Sequence, residues 1–430
     1  MTVAADDEVV DDEVVDDEVI DPFEEFNRAM GADGDASPYP GFIDARRLGP
    51  ILNGAGEFAA LDLAISEEGA DGSTALGALA ADMFTAYSYE AVQAVLGDGV
   101  NFSSSGYSEF IGAVMGRSIL EMDEPEHREY RGLIQQAFSR RSMERWEEEL
   151  VGPLVNGMID EFIDDGSVDL VRELMFPFPV RVIAELLGLP HEDLPEFHRL
   201  AVELIGVSVD WDRALAASAS LKAYLADIVA ERRRRPADDM ISLLIAAERD
   251  GQRLTDEDIF AFLRLLLPAG AETTYRSSSN LLYGLLSNTG QLDAVRGDRS
   301  LLPQAIEEGI RWEPPLLIVV RTAVRDVDVC GVRIPAGSVV ITNMGSANHD
   351  DTRWDRPEEF DIFRERKPHI GFAHGPHMCL GMHLARMETT VVLESLLDRL
   401  PNLRLDPAAG PAFISGMTFR APPALDVLWG

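Results

Sequence analysis

Cysteine is almost absent from this chain of 430 residues, with Cys330 and Cys379 the only two. They lie far apart in dissimilar surroundings, so no disulfide framework is implied and a reducing compartment is the simpler reading. Long apolar runs are missing as well. None approaches the ~18 residues of a membrane span, and the N-terminus lacks the basic and apolar regions of a secretory leader. The expectation is a cytoplasmic protein without membrane association. Positive charge is scarce: 37 Lys and Arg stand against 75 Asp and Glu, a formal net charge of -38. That surplus repels phosphate backbones and argues against a nucleic-acid ligand. Length alone would suggest two or three domains, but no Gly/Ser-rich linker breaks the chain, and it reads as one compact unit over residues 22–430 whose 46% hydrophobic content can bury a large core.

Part of the acidity is local. Asp6, Asp7, Glu8, Asp11, Asp12, Glu13, Asp16, Asp17, Glu18 and Asp21 form a repeated pattern without a basic residue, so residues 1–21 are expected to be a disordered, solubilising tail. Beyond it, apolar residues recur at helical spacing through Glu126 to Phe138, Arg141 to Phe162, Leu170 to Leu187, Leu194 to Val207, Ala214 to Arg235 and Asp239 to Arg249. Thr255 and Asp258 open a long stretch to Leu286 with a box-like cap, and its apolar residues on nearly every face place it through the middle of the protein. β-Branched pieces follow at Ile318 to Val324, Val327 to Val332 and Ser338 to Thr342, with Pro335-Ala336-Gly337 as a turn between the last two. The fold class expected is mainly α with small β-sheets, and Cys330 reads as an incidental residue in a strand.

Cys379 stands in Phe372-Ala-His-Gly-Pro-His-Met-Cys379-Leu-Gly381, between two glycines and just before the helical pattern Leu384 to Leu397. Unpaired N–H groups and the positive end of a helix dipole stabilise a thiolate there, which suits a metal ligand. Gly375 allows a turn that a β-carbon hinders, and Gly381 allows close approach of a flat group. Two alternatives stay open on spacing alone: an inert buried cysteine, or zinc held by His374, His377, Cys379 and His383, although no second separated ligand pair is evident. Farther upstream, Pro268 cannot donate to the carbonyl of Arg264, so the long helix is expected to kink or open at Pro268-Ala-Gly-Ala-Glu-Thr273-Thr274.

The cysteine segment resembles the ligand loop of cytochromes P-450, Phe-Gly-x-Gly-x-His-x-Cys-x-Gly, matching five of its six specified positions and departing at Ala373. The resemblance implies that Cys379 ligates the iron of haem b, that Phe372, Gly375 and Gly381 shape its seat, and that His377 approaches a propionate. Glu308 and Arg311, ahead of Glu313-Pro-Pro, resemble the family's Glu-x-x-Arg helix, with Arg364 as the third member of a structural network. Ala269-Gly270-Ala-Glu272-Thr273 resembles the oxygen-binding groove, in which Glu272 and Thr273 guide protons. His127 and Arg131, at i and i+4, and Arg321 match further propionate-binding positions. The likeness runs from about Pro38 to the C-terminus, and it implies the family's fold: one compact unit with a long central helix over the haem and the cysteine loop beneath.

The implied activity is that of a monooxygenase, which activates dioxygen with two externally supplied electrons and inserts one oxygen atom into an apolar substrate, typically by C–H hydroxylation. A haem-based sensor without turnover is the competing class, and the Glu272-Thr273 pair argues against it. The implied electron supply is a ferredoxin with its reductase, and Arg364, Arg366, Lys367 and Arg386 are expected to form a basic patch for that acidic donor. A monomer is expected. Leu316 to Val320, the central helix and the aromatic residues of Asn101 to Met115 offer the apolar surface a substrate needs.

Overall fold

Helical periodicity becomes helices across most of the chain. The computed structural model describes residues 37–56, 83–109, 111–208 and 210–430, so the expected acidic tail at 1–21 lies outside the described residues. Eleven helices frame the site: α1 (Tyr39–Leu48), α2 (Tyr89–Gly97), α3 (Ile111–Met115), α4 (Glu126–Ile134), α5 (Pro177–Leu186), α6 (Leu194–Ile205), α7 (Trp211–Arg234), α8 (Asp256–Leu266), α9 (Thr273–Ser287), α10 (Leu302–Trp312) and α11 (Met382–Arg399). Their apolar faces build one large core, in which Leu170, Leu174, Leu221, Ile259, Leu282, Leu285 and Leu396 are fully or almost fully buried. Burying an aliphatic side chain of this size stabilises by about 1.5–3 kcal/mol.

The expected long central helix is present, with its interior altered as Pro268 requires. At its start the Thr255 hydroxyl accepts from Asp258 N–H at 3.2 Å, and Thr255 N–H donates to Asp258 Oδ2 at 2.8 Å. A cap of this kind is worth about 1 kcal/mol. Between α8 and α9, residues Leu267–Glu272 wind as a π-helix. The wider turn takes up the missing Pro268 N–H without breaking the rod. α9 then packs on α10 and α11, while α7 packs on α6 and α8.

Five strands form the main sheet: β1 (Ile51–Asn53), β2 (Met83–Ala86), β3 (Phe102–Ser103), β4 (Ile318–Ala323) and β5 (Val339–Asn343), in the order β1-β2-β5-β4-β3. β2 and β5 run parallel, the other neighbours antiparallel, and Val340 lies opposite Arg321.

Two expected elements end differently. Val327 to Val332 is not one strand: Val327–Val329 pairs antiparallel with Val332–Ile334 around Cys330 and Gly331, whose φ values of 49° and 81° turn the chain. Cys330 is therefore an exposed turn residue. The helix expected from Asp239 to Arg249 stops at Ala246, because Asp250 and Gly251, with φ of 53° and 82°, fold Glu248–Arg249 back on Gln252–Arg253. An Asp-Gly pair with both φ positive is a strong hairpin signal, and it overrides the helical pattern before it.

Candidate active site at the cysteine loop and central helix

The cysteine loop is tied in place mostly through backbone groups. Cys379 N–H donates to Phe372 O at 2.9 Å, Met378 N–H to Gly375 O at 3.1 Å and Ala373 N–H to Ile370 O at 2.9 Å. Gly375 has a φ of 74°, and a β-carbon there would fall 2.3 Å from Leu96 O, so no other residue fits the turn against α2. Ala373, where the resemblance has glycine, also takes a positive φ of 59°. The glycine preference thus has a conformational origin, and Ala373 adopts the turn under strain. Burial pushes the Cys379 thiol up, while hydrogen bonds from Gly381 and Met382 N–H and the charges of Arg131 and Arg386 pull it back. Those two N–H groups open α11, which is the helix-terminus stabilisation expected of a thiolate.

Basic groups gather on one side of this loop. The His127 and His377 rings lie 3.9 Å apart by centroid. Burial drives the His377 imidazole down to about 3, with His127, Arg321 and Arg131 adding to the shift. His127 is lowered chiefly by burial too, and its Nδ1 meets Glu124 Oε1 at 3.3 Å, whereas its buried Nε2 has no hydrogen-bond partner. Arg131 donates to Met378 O at 2.7 Å, bracing the loop, and Arg321 is buried beside Tyr107. The four sequence-expected propionate groups thus converge.

Behind the loop, the expected three-member network closes. Arg311 donates to both Glu308 oxygens at 2.8 Å, Arg364 to Glu308 Oε1 at 3.2 Å, and Asp361 N–H to the same oxygen at 2.9 Å. Arg311 also caps the carbonyls of Asn348, Pro357 and Glu359, and is only 1 % exposed. Removing one member strands a buried charge, at a cost of about 3–5 kcal/mol.

On the central helix, the π segment opens the surface. Ala269 is exposed and Gly270 half-buried between the buried residues Leu267 and Ala271, and Thr273, past the buried Glu272, is half-buried too. Thr273 N–H goes to Gly270 O, and its hydroxyl donates to Ala269 O at 2.8 Å. Glu272 is buried, and desolvation pushes its carboxyl up to about 7 against the pull of Arg276.

Haem, the group implied by the resemblance, fits these residues. The His127 Nε2 orphan and the convergent cations suit carboxylate groups, and a β-carbon at Gly381 would meet nothing within 4 Å, leaving room beside Cys379. Zinc does not fit: among the described residues no three His, Cys, Asp or Glu side chains converge on a metal position. The expected basic patch needs correction. Arg364 is turned inward to Glu308, and the half-buried Arg386 donates to Glu307 at 2.6 and 2.8 Å while lying over Phe372, so of the four only Arg366 and Lys367 are exposed. Sequence reasoning also passed over two buried charges beside the site. Arg276 contacts Glu272, and Glu388 of α11, pushed by burial up to about 8, meets Thr274. For Glu388 the signal was a charged residue among Leu384, Ala385, Val391 and Val392, and for Arg276 it was the i, i+4 spacing to Glu272.

A family model described as cytochrome P-450 matches residues 207–407. Over 326 residues the chain is 35% identical to the cytochrome P-450 monooxygenase PikC of Streptomyces venezuelae, covering 74% of this chain and 77% of that one. It is 37% identical over 317 residues to nocardicin C N-oxygenase of Nocardia uniformis subsp. tsuyamanensis, covering 73% and 79%. The crystal structure of CYP109E1 from Bacillus megaterium in complex with testosterone matches the fold with a TM-score of 0.79 at 30% identity, covering 92% of this chain and 100% of that one. With these likenesses joined to a cysteine loop and a π-opened central helix of the expected form, the chain belongs to the cytochrome P-450 family and is a haem-thiolate monooxygenase with haem b as its cofactor.

Proposed function

We propose that this enzyme hydroxylates a C–H bond of an apolar substrate, with Cys379 as the iron ligand and Glu272 and Thr273 as the proton-handling pair. The observation that carries the reading is the pairing of a thiol at the start of α11, faced by two backbone N–H groups, with a buried carboxyl and a threonine hydroxyl at the opened turn of the central helix. His127, Arg131, Arg321 and His377 would hold the propionates, Phe372, Gly375 and Gly381 would shape the seat, and Ala269 and Gly270 would line the groove. Bound there, haem supplies dioxygen binding and the one-electron chemistry that side chains lack. Glu272 can take or give a proton near neutral pH, which is where a general acid works best. Thr273 moves that proton onward by exchanging its bond to Ala269 O.

The half-buried Leu316, Ile318, Val319 and Val320 provide aliphatic surface, and Val320 N–H donates to Tyr107 OH at 2.9 Å, which brings an aromatic ring to the same edge. The testosterone bound by CYP109E1 supports a substrate of that apolar character. Among the described residues no helix is long and apolar enough to cross a membrane, in keeping with a cytoplasmic enzyme served by a separate ferredoxin and its reductase. Exposed Arg366, Lys367, Phe363 and Met378 offer the donor a surface near the loop.

The test is the yield of product per NAD(P)H in the reconstituted system. Thr273→Ala should keep consuming NAD(P)H while product per reductant falls severalfold. An unchanged yield would remove Thr273 from the proposed role.

A further inference from the structure

Arg276 lies one helical turn beyond Glu272 on α9 and is only 3 % exposed. A guanidinium inside a core is costly unless it is paired, so its surroundings say what it is for. Its Nε and Nη2 donate to Glu272 at 3.3 and 3.2 Å, and both bonds end on Oε1. The cation also lies over the rings of Tyr275 and Phe419, with centroids 4.9 and 5.7 Å away. The buried pair Arg311–Glu308 instead uses both carboxylate oxygens at 2.8 Å. Geometry of that second kind immobilises a carboxylate, whereas contact through one oxygen, at lengths beyond the usual 2.7–2.9 Å, restrains it and leaves the second oxygen outside the pair.

We propose that Arg276 is a positioning residue, which holds Oε1 of Glu272 and leaves Oε2 as the oxygen that takes and gives the proton. This rests on the reading of Glu272 as a proton carrier. The helices packed against the π segment carry other charged or titratable groups, and these are engaged elsewhere except His198, whose buried Nε2 has no hydrogen-bond partner and whose ring lies against Phe176. Arg181 of α5 pairs with Glu161, and Glu185 with His191. On α6, Arg199 pairs with Glu196 and Glu203, and burial together with Arg181 lowers His198. Arg264 of α8 donates to Phe260 O and Ser218 Oγ, and Glu388 of α11 faces Thr274. Tyr275 is itself pushed up to about 12 by burial. On Glu272, burial acts in one direction and Arg276 in the other.

The experiment uses the haem-loaded enzyme in two measurements over pH: the infrared carboxyl band of Glu272, assigned by its loss in Glu272→Gln, and NAD(P)H-driven dioxygen consumption with a ferredoxin and its reductase. Arg276→Met should move the midpoint of the band upward by about one to three pH units, since an opposite charge at this range accounts for that much. The inflection in dioxygen consumption should move with it. Arg276→Lys, which restores a cation, should return both toward wild type, and thermal melts separate this effect from loss of packing; Arg276→Gln serves if the Met variant fails to fold. A midpoint unmoved in Arg276→Met, or moved equally in Arg276→Lys, overturns the proposal while Glu272 keeps its role. A wild-type pH profile of dioxygen consumption in Glu272→Gln removes the proton-carrier reading itself, and the proposal with it.

Discussion

Behind the cysteine loop, Glu308 is met by two arginines and a backbone N–H, and every distance falls between 2.8 and 3.2 Å. On the central helix, Glu272 meets Arg276 through one oxygen and Glu388 meets only a threonine hydroxyl among the interactions that shift it. Both regions bury carboxylates, yet burial leaves different chemistry in each. Where partners saturate the charge, the carboxylate becomes a rigid joint between α10 and the segment leading to the loop. Where partners are few, desolvation lifts the carboxyl into the range where protons exchange, to about 7 for Glu272 and about 8 for Glu388. A haem held through sulfur would need an immobile support for its ligand, and carboxyls that exchange protons near neutral pH would suit the proton transfers of its chemistry.

The comparison breaks most sharply at Glu308. Glu308→Ala leaves Arg311 and Arg364 buried without their carboxylate, and a loss of about 3–5 kcal/mol is expected. Denaturant melts and haem content should show a destabilised protein that retains little cofactor. Intact stability would mean that the network is not the joint described. Glu388→Gln sharpens the contrast from the other side. In the folded chain Glu388 is raised from its ordinary 4.5 to about 8, so the fold binds a proton that the unfolded chain releases between those values. The associated stability is full below pH about 4.5 and is lost as pH rises through about 8. The variant, which cannot ionise, should therefore lose less stability than wild type between pH 5 and 9, as read from melting temperatures across pH. Parallel curves would show Glu388 ionised in the fold. The smallest effect is expected at Ala373. Ala373→Gly should relieve its positive φ and stabilise the loop by about 1 kcal/mol, seen as a higher denaturant midpoint of the haem-bound protein. No gain would mean that the turn is unstrained.

Local patterns made much of this legible. The capping box at Thr255 and Asp258, the opening at Pro268 and the glycine turn at Gly375 each follow from one or a few neighbouring residues, and each stands where sequence reasoning put it. The motif order placed Glu308, Arg311 and Arg364 together, although their contact depends on segments 53 to 56 residues apart. What failed was non-local or unsignalled. Arg386 was read as a surface cation because its partner, Glu307, is 79 residues away on α10. Cys330 was read as a strand residue because Cys-Gly lacks the usual asparagine or aspartate of a tight hairpin. The π geometry could be anticipated only as an irregularity, since a missing N–H permits a kink or a widened turn and tertiary packing decides between them.

The most direct test compares wild type with Cys379→Ser after haem loading, reduction and addition of carbon monoxide. With sulfur from this residue on the iron, wild type should give the red-shifted Soret band of a thiolate complex and the variant should lose it. The same band in both proteins would contradict the assignment of Cys379, and with it the account of the loop as the immobile support for a sulfur ligand.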